Sequence, residues 1–139
     1  MKGLGMAKPV LCVGISLVLL VGCVGFQETK RLVLLDEIAL SYEQALLSGN
    51  YRVANRFTKK EGGGQQTADF DHLKNIQVSS YELIDKFFSP GGLKARLTVE
   101  IRYFHASHLI EKSLVDEQEW EYDEKDKCWY LASGLPDFR

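Results

Sequence analysis

Between Ala95 and Tyr103 the chain alternates without a fault, with Ala95, Leu97, Val99, Ile101 and Tyr103 interleaved by Arg96, Thr98, Glu100 and Arg102. Successive side chains of a strand point to opposite faces, so this stretch predicts a half-buried antiparallel strand with one apolar and one solvated side. Such a strand needs neighbours to pair with and a cover for its apolar face. Neighbours are predicted on both sides. Upstream, Ile76, Val78 and then Tyr81 and Leu83 change phase at Ser79-Ser80, which predicts a strand with a bulge, ended by the turn Ser89-Pro90-Gly91-Gly92. Downstream, residues 104–109 are irregular and residues 110–122 predict a long strand carrying Leu114, Trp120 and Tyr122. Asp123-Glu124-Lys125-Asp126-Lys127 reads as a charged hairpin tip, and residues 128–132 as a last strand that brings Trp129 near Trp120. Leu135 and Phe138 close the chain.

The cover comes from the preceding segment. Leu35, Ile38, Ala39, Tyr42, Ala45 and Leu46 recur at spacings of three and four, which predicts an amphipathic helix over residues 30–48, stopped by Gly49-Asn50. Leu32, Val33 and Leu34 make its first turn apolar nearly all round, which suits packing against a sheet, with contact with the bilayer as the alternative. A second helix is expected over residues 51–60, with Val53, Ala54 and Phe57 inward and Arg52, Arg56, Lys59 and Lys60 on a solvated face. Residues 61–66, with the glycine triplet Gly62-Gly63-Gly64, form a loop; no Lys-Ser or Lys-Thr follows, so the triplet is no phosphate cradle. Thr67 is expected to cap a short third helix, 68–74, that buries Phe70 and Leu73. Helices first and strands after favour an α+β fold.

Ahead of all this, Lys2 and Lys8 precede an apolar run, Val10 to Val21, broken only by Gly14 and Ser16 and ended by Leu20-Val21-Gly22-Cys23. A positive start, an apolar stretch and small residues before a cleavage point are the layout of a secretory signal. The last four residues match the lipobox, and the chain resembles a bacterial lipoprotein precursor. That resemblance implies a signal peptide over 1–22, a diacylglyceryl group and palmitate-type acyl chains on Cys23, and a short tether over 23–29. The alternative, an uncleaved helix, would rest on the uncharged stretch 9–26, at the lower limit of what spans a bilayer. Val24, not Asp, follows the cysteine. By the enterobacterial sorting habit this implies the outer membrane, facing the periplasm.

Removing 22 of 139 residues leaves 117, enough for one small domain over 30–139. Residues 23–139 carry 15 basic against 19 acidic side chains, a net charge of −4, and no basic patch suggests nucleic acid. With Cys12 removed and Cys23 lipidated, Cys128 is left without a disulfide partner, and its place beside Trp129 in an apolar strand predicts a packed, inert thiol.

Three helices followed by a bent antiparallel sheet resemble the NTF2-like family, an α+β cone with N-terminal helices packed on a curved antiparallel sheet. The likeness is carried by the segment from Ser41-Tyr42-Glu43 to Asn50-Tyr51, by Ile76-Gln77-Val78-Ser79-Ser80-Tyr81, and by Glu119-Trp120-Glu121-Tyr122 with Trp129-Tyr130-Leu131. It implies a concave interior beneath the first helix, where Tyr42, Tyr81, Tyr103 and Trp120 are the candidate pocket-lining residues. Fold does not decide function, since relatives of this shape catalyse, bind or scaffold. The expected function is a lipid-anchored envelope protein of non-catalytic type that binds a small apolar ligand or an envelope protein partner. The alternative is a small isomerase- or dehydratase-like enzyme with an acid–base pocket, for which Asp69, Asp71 and His72 on the third helix are the candidates. His105-x-x-His108 lacks a placed third ligand, so neither a metal nor another cofactor is expected. The acids from Asp116 to Asp126 lack the EF-hand spacing and read as a solvated sheet edge, with Glu119 and Glu121 as the candidate docking edge for a basic partner.

Overall fold

The computed structural model describes residues 12–59 and 63–139, with side chains from Gly25 onward in the first helix. Lys2 and Lys8, the thiol of Cys23, Lys60 at the end of the predicted second helix, and residues 61–62 of the predicted loop lie outside the described set. Three helices, α1 (Cys12–Leu47), α2 (Tyr51–Asn55) and α3 (Phe70–Leu73), precede four strands, β1 (Ile76–Phe88), β2 (Lys94–His105), β3 (Glu111–Asp123) and β4 (Cys128–Leu131). The strands form one open antiparallel sheet in the order β1-β2-β3-β4. The fold is α+β, with helices packed against the sheet.

Register follows from the alternation. Ala95, Leu97, Val99, Ile101 and Tyr103 are all buried. Residues paired directly across antiparallel strands share a face, so Phe88–Ala95–Trp120–Leu131 form one inner row and Leu83–Val99–Asp116 another. The phase change at Ser79 is a break in register between Val78 and Ser80, and a second occurs between Leu83 and Asp85. Each inserts an unpaired residue that bends β1. Trp129 pairs with Tyr122, their rings 5.4 Å apart, while Trp120 pairs with Leu131.

Helix α1 covers this inner face with Leu35, Tyr42, Ala45 and Leu46. Its end is fixed by Gly49 in the left-handed region (φ 71°), with Gly49 N donating to Leu46 O (3.0 Å) and Asn50 N to Ala45 O (2.8 Å). Asn50 then caps α2 by accepting from Val53 N (3.3 Å). The helix runs unbroken through residues 24–29, where the sequence predicts a tether. Nothing there stops a helix, and Thr29 Oγ1 donates back to Gly25 O (2.9 Å) within it. Among the described residues no helix is long and apolar enough to cross a membrane.

Other expectations need correction. Helix α2 ends at Asn55 instead of 60, and Lys59 turns back to Asp123 in an ion pair of 2.6 Å. Asp69, not Thr67, caps α3, its carboxylate accepting from His72 N (3.0 Å). Val33 is 55 % exposed, because the face opposite Leu35 points to solvent. Cys128 is exposed: neighbours on a strand face opposite ways, so burying Trp129 turns the thiol out.

The loop before α3 is held by buried polar groups. Asn55 Nδ2 donates to Gln66 O (3.0 Å), Gln66 N to Thr58 Oγ1 (3.2 Å), and Gln66 Nε2 to Ala132 O (2.6 Å). Gly134, at φ 81°, lies against that amide, and a Cβ there would come within 2.5 Å of Gln66 Oε1. Gly134→Ala is therefore expected to lower unfolding free energy by about 1–3 kcal/mol. Gly49→Ala, also left-handed but in open space, should lose only about 1–2 kcal/mol. Urea unfolding of the two variants side by side tests the difference.

Candidate functional site

The sheet and α1 bring three of the four predicted pocket residues together. Tyr42 descends from α1 with its ring edge-on to Trp120 (5.7 Å) and Phe57 (6.0 Å), and Tyr81 approaches from β1. Tyr103 lies elsewhere: its hydroxyl donates to Arg139 O (2.9 Å) and its ring packs on Phe138 (4.8 Å). Tyr42 and Trp120 are fully buried, so the space beneath the helix is filled where they meet.

What the sequence reading missed is the polar thread through this core. Period two from Leu114 to Trp120 carries Asp116 and Gln118 to the inner face with them. Gln118 is fully buried and uses its amide completely. Its Oε1 accepts from Trp120 Nε1 (3.1 Å) and Tyr81 Oη (3.2 Å), while its Nε2 donates to Tyr81 Oη (2.9 Å) and Asp116 Oδ2 (3.0 Å). Burial pushes the Asp116 carboxyl above the usual carboxylate range, opposed by the bond from Gln118. Burial likewise raises Tyr81 well above an ordinary phenol, helped by the Asp116 and Glu43 charges.

One group in this cluster is left over. The Tyr42 hydroxyl is the one buried side-chain polar atom without a hydrogen-bond partner among the described residues. Burial, then the Asp116 charge and the neighbouring Tyr81 and Tyr51 hydroxyls, raise it strongly. Leaving such a hydroxyl unsatisfied costs about 1–3 kcal/mol. The rim beside it is open, for Glu43, Tyr81, Leu114 and Asp116 are half-buried and Leu83 is 47 % exposed.

The other candidates are placed apart from it. His72 Nε2 donates to Phe138 O (2.8 Å), Asp69 caps α3 and Asp71 pairs with Lys74, so none of the third helix's groups joins the cluster. His105 stacks edge-on between His72 (5.6 Å) and His108 (6.4 Å), but no group of three His, Cys, Asp or Glu among the described residues is arranged to hold a metal. Glu119 and Glu121 are on an interior strand, not an edge, and face away from α1. Glu119 pairs with Arg96 (2.7 Å), and Glu121 accepts from Tyr130 Oη (2.6 Å) and meets Lys94 (3.3 Å). A cleft of about 430 Å³ opens beside β4, walled by Ile38, Phe57, Trp129 and Tyr130. Lys59 on its rim is paired with Asp123. The Cys128 thiol at that cleft is raised by partial burial and by Asp126 and Asp123, the opposite of an activated thiolate.

No family model matches the chain, and no curated protein and no solved structure matches it.

The shift at Asp116 has a defined sign. A carboxyl raised in the folded state contributes stability that is complete below its unfolded value and is lost as pH rises through its folded value. Asp116→Asn, which keeps an acceptor for Gln118, should therefore raise the urea midpoint near pH ~7 and lose that advantage near pH ~3, below the ordinary carboxylate value of about 3.9. Asp123, lowered to about 2 chiefly by Lys59, behaves oppositely. Asp123→Asn should be the weaker protein near neutrality and approach wild type as pH falls toward about 2. Paired unfolding curves across this range check both signs.

Proposed function

We propose that this is a lipid-anchored cell-envelope protein, acylated on Cys23, whose NTF2-like domain binds a small ligand at the open rim of its inner sheet face and does no chemistry on it. The observation that carries the binding reading is the unpartnered Tyr42 hydroxyl. A core tyrosine with nothing to bond to is better replaced by phenylalanine unless something else supplies the bond. Leu83 and Leu114 flank the rim and suit an apolar part of the ligand. The anchoring reading rests on Lys2, Lys8, the apolar run and Leu20-Val21-Gly22-Cys23, and Val24 directs it to the outer membrane facing the periplasm. Helix α1 supports a close-held domain. Arg31, which reaches Gly91 O (3.2 Å) and Glu124 (3.3 Å), is eight residues past Cys23, or about 12 Å along the helix.

A second reading, an acid–base enzyme, draws on Asp116 and Tyr81, a raised carboxyl beside a tyrosine. Gln118 stands between them and binds both, which leaves Tyr81 no free geometry for moving a proton, and burial holds its hydroxyl neutral. Binding is the better fit.

Native mass spectrometry of the full chain in a neutral detergent should show acyl mass on the wild type and a further mass lost on denaturation. Cys23→Ala should lose the acyl mass and leave the membrane fraction. A Cys23→Ala protein that stays membrane-bound would sink the anchoring reading, and a wild-type chain with no releasable mass would count against the binding reading.

A further inference from the structure

Among the described residues the rim carries two carboxylates and no base paired with either. Asp116 comes from β3 and Glu43 from α1; Tyr81 on β1 bonds the same Gln118 amide that holds Asp116, and both charges raise its hydroxyl. Neither has a salt bridge among the described residues, whereas Asp36 is held by Lys86 and Glu121 by Lys94. Lys86, on the same inner face, is therefore already engaged, and Lys112, further along it, donates to Arg139 O (2.9 Å). A half-buried carboxylate without a counter-charge is costly, and the cost is relieved by a cation that enters with it.

A second observation, independent of the charges, marks the same place as a site. The Tyr42 hydroxyl is fully buried and has no partner among the described residues, and its ring stands edge-on to Trp120, whose Nε1 donates to the same Gln118 that holds Asp116. As a phenol it can accept a bond as well as donate one. An N–H donor placed between Tyr42 and Asp116 would satisfy both groups. Around them Tyr81, Leu83 and Leu114 supply one aromatic and two aliphatic walls, with Leu83 and Asp116 opposite Val99 in one row and Tyr81 and Leu114 opposite Ile101 in the next.

We propose that the ligand is a small organic cation, an alkylammonium whose nitrogen lies between Asp116, Glu43 and the Tyr42 hydroxyl and whose carbon chain lies along Leu83 and Leu114. An aromatic wall beside a carboxylate favours an ammonium group through the ring's negative face as well as by charge. An anion would meet two like charges, and a neutral molecule would leave Asp116 uncompensated. This inference rests on the ligand-binding reading and adds the ligand's chemical class.

The test is titration calorimetry on the full chain in a neutral maltoside detergent, with n-butylammonium, 1-butanol and butyrate as probes of equal length. Butylammonium is expected to bind at least tenfold tighter than butanol, and butyrate not at all. Asp116→Asn should weaken butylammonium at least tenfold and Glu43→Gln severalfold. Tyr42→Phe should weaken it severalfold while the ligand-free protein melts no lower than wild type, which separates a lost contact from a lost fold. Butanol binding as tightly as butylammonium, with Asp116→Asn indifferent, would overturn the cation and leave a neutral ligand in its place. A retained ligand without a basic nitrogen, seen by native mass spectrometry, would do the same. No binding by any probe, together with a chain that carries no releasable mass, would bring down the cation and the binding reading alike.

Discussion

The edge-on contact of Tyr42 with Trp120 is where the two layers of this protein lock. Trp120 is the largest fully buried side chain, paired with Ala95 on one side and Leu131 on the other, so it ties β2, β3 and β4 at one row. Tyr42 is the matching side chain from the helix, flanked by Leu35 and Leu46 and backed by Phe57. Small Ala95 lies opposite the indole, and the two register breaks bend β1. A Trp in this position accounts for about 3–5 kcal/mol by comparison with its removal to Ala, a large share of the stability of any small domain. The remaining contacts refine an arrangement that this one fixes.

Much of this was legible, and the reasons are local. Period two at Ala95 to Tyr103 and the three-four spacing of Leu35 to Leu46 state which faces are buried, and the structure buries those faces. The break at Ser79-Ser80 was visible because the apolar phase flips there; the second, after Leu83, was hidden because Ile84 and Phe87 keep the segment apolar while both are exposed. Asp116 and Gln118 were legible in principle by parity with Leu114 and Trp120, yet polar residues among acids read as solvated. Strand parity separates Asp116, opposite buried Val99, from Glu117 and Glu119, opposite Thr98 and Arg96 on the outer face. Cys128 is the same lesson inverted, an apolar-looking neighbour of Trp129 that strand geometry turns out.

Other residues depended on contacts that no short window contains. Tyr103 has the right parity for the inner face, but the chain's end folds back and Arg139 and Phe138 take its hydroxyl and its ring. Thr67 and Asp69 both have N-cap side chains, and the choice went to Asp69 because residues 66–68 are drawn away by the bonds of Gln66 to Asn55, Thr58 and Ala132. Lys59, read as one of four solvated bases, is bound by a carboxylate 64 residues away. Each is a long-range competition for a hydrogen bond, and sequence shows the competitors without the winner.

The Tyr42 hydroxyl connects stability to function. A phenylalanine ring could make the same edge-on contacts with Trp120 and Phe57, and would remove an unsatisfied buried group worth about 1–3 kcal/mol. Asp116 is a second departure of the same kind, a carboxylate on the inner face of a sheet with only Gln118 to hold it. Gln118 cannot be dismissed as a third, since its four bonds are all made. An unpartnered hydroxyl beside a half-buried carboxylate that has no counter-charge among the described residues departs from the packing rules of a core, and such departures are where a partner completes the structure. Helix α1 carries Tyr42 and runs unbroken from Cys12 to Leu47, so residue 23 and the Tyr42 hydroxyl belong to one continuous element.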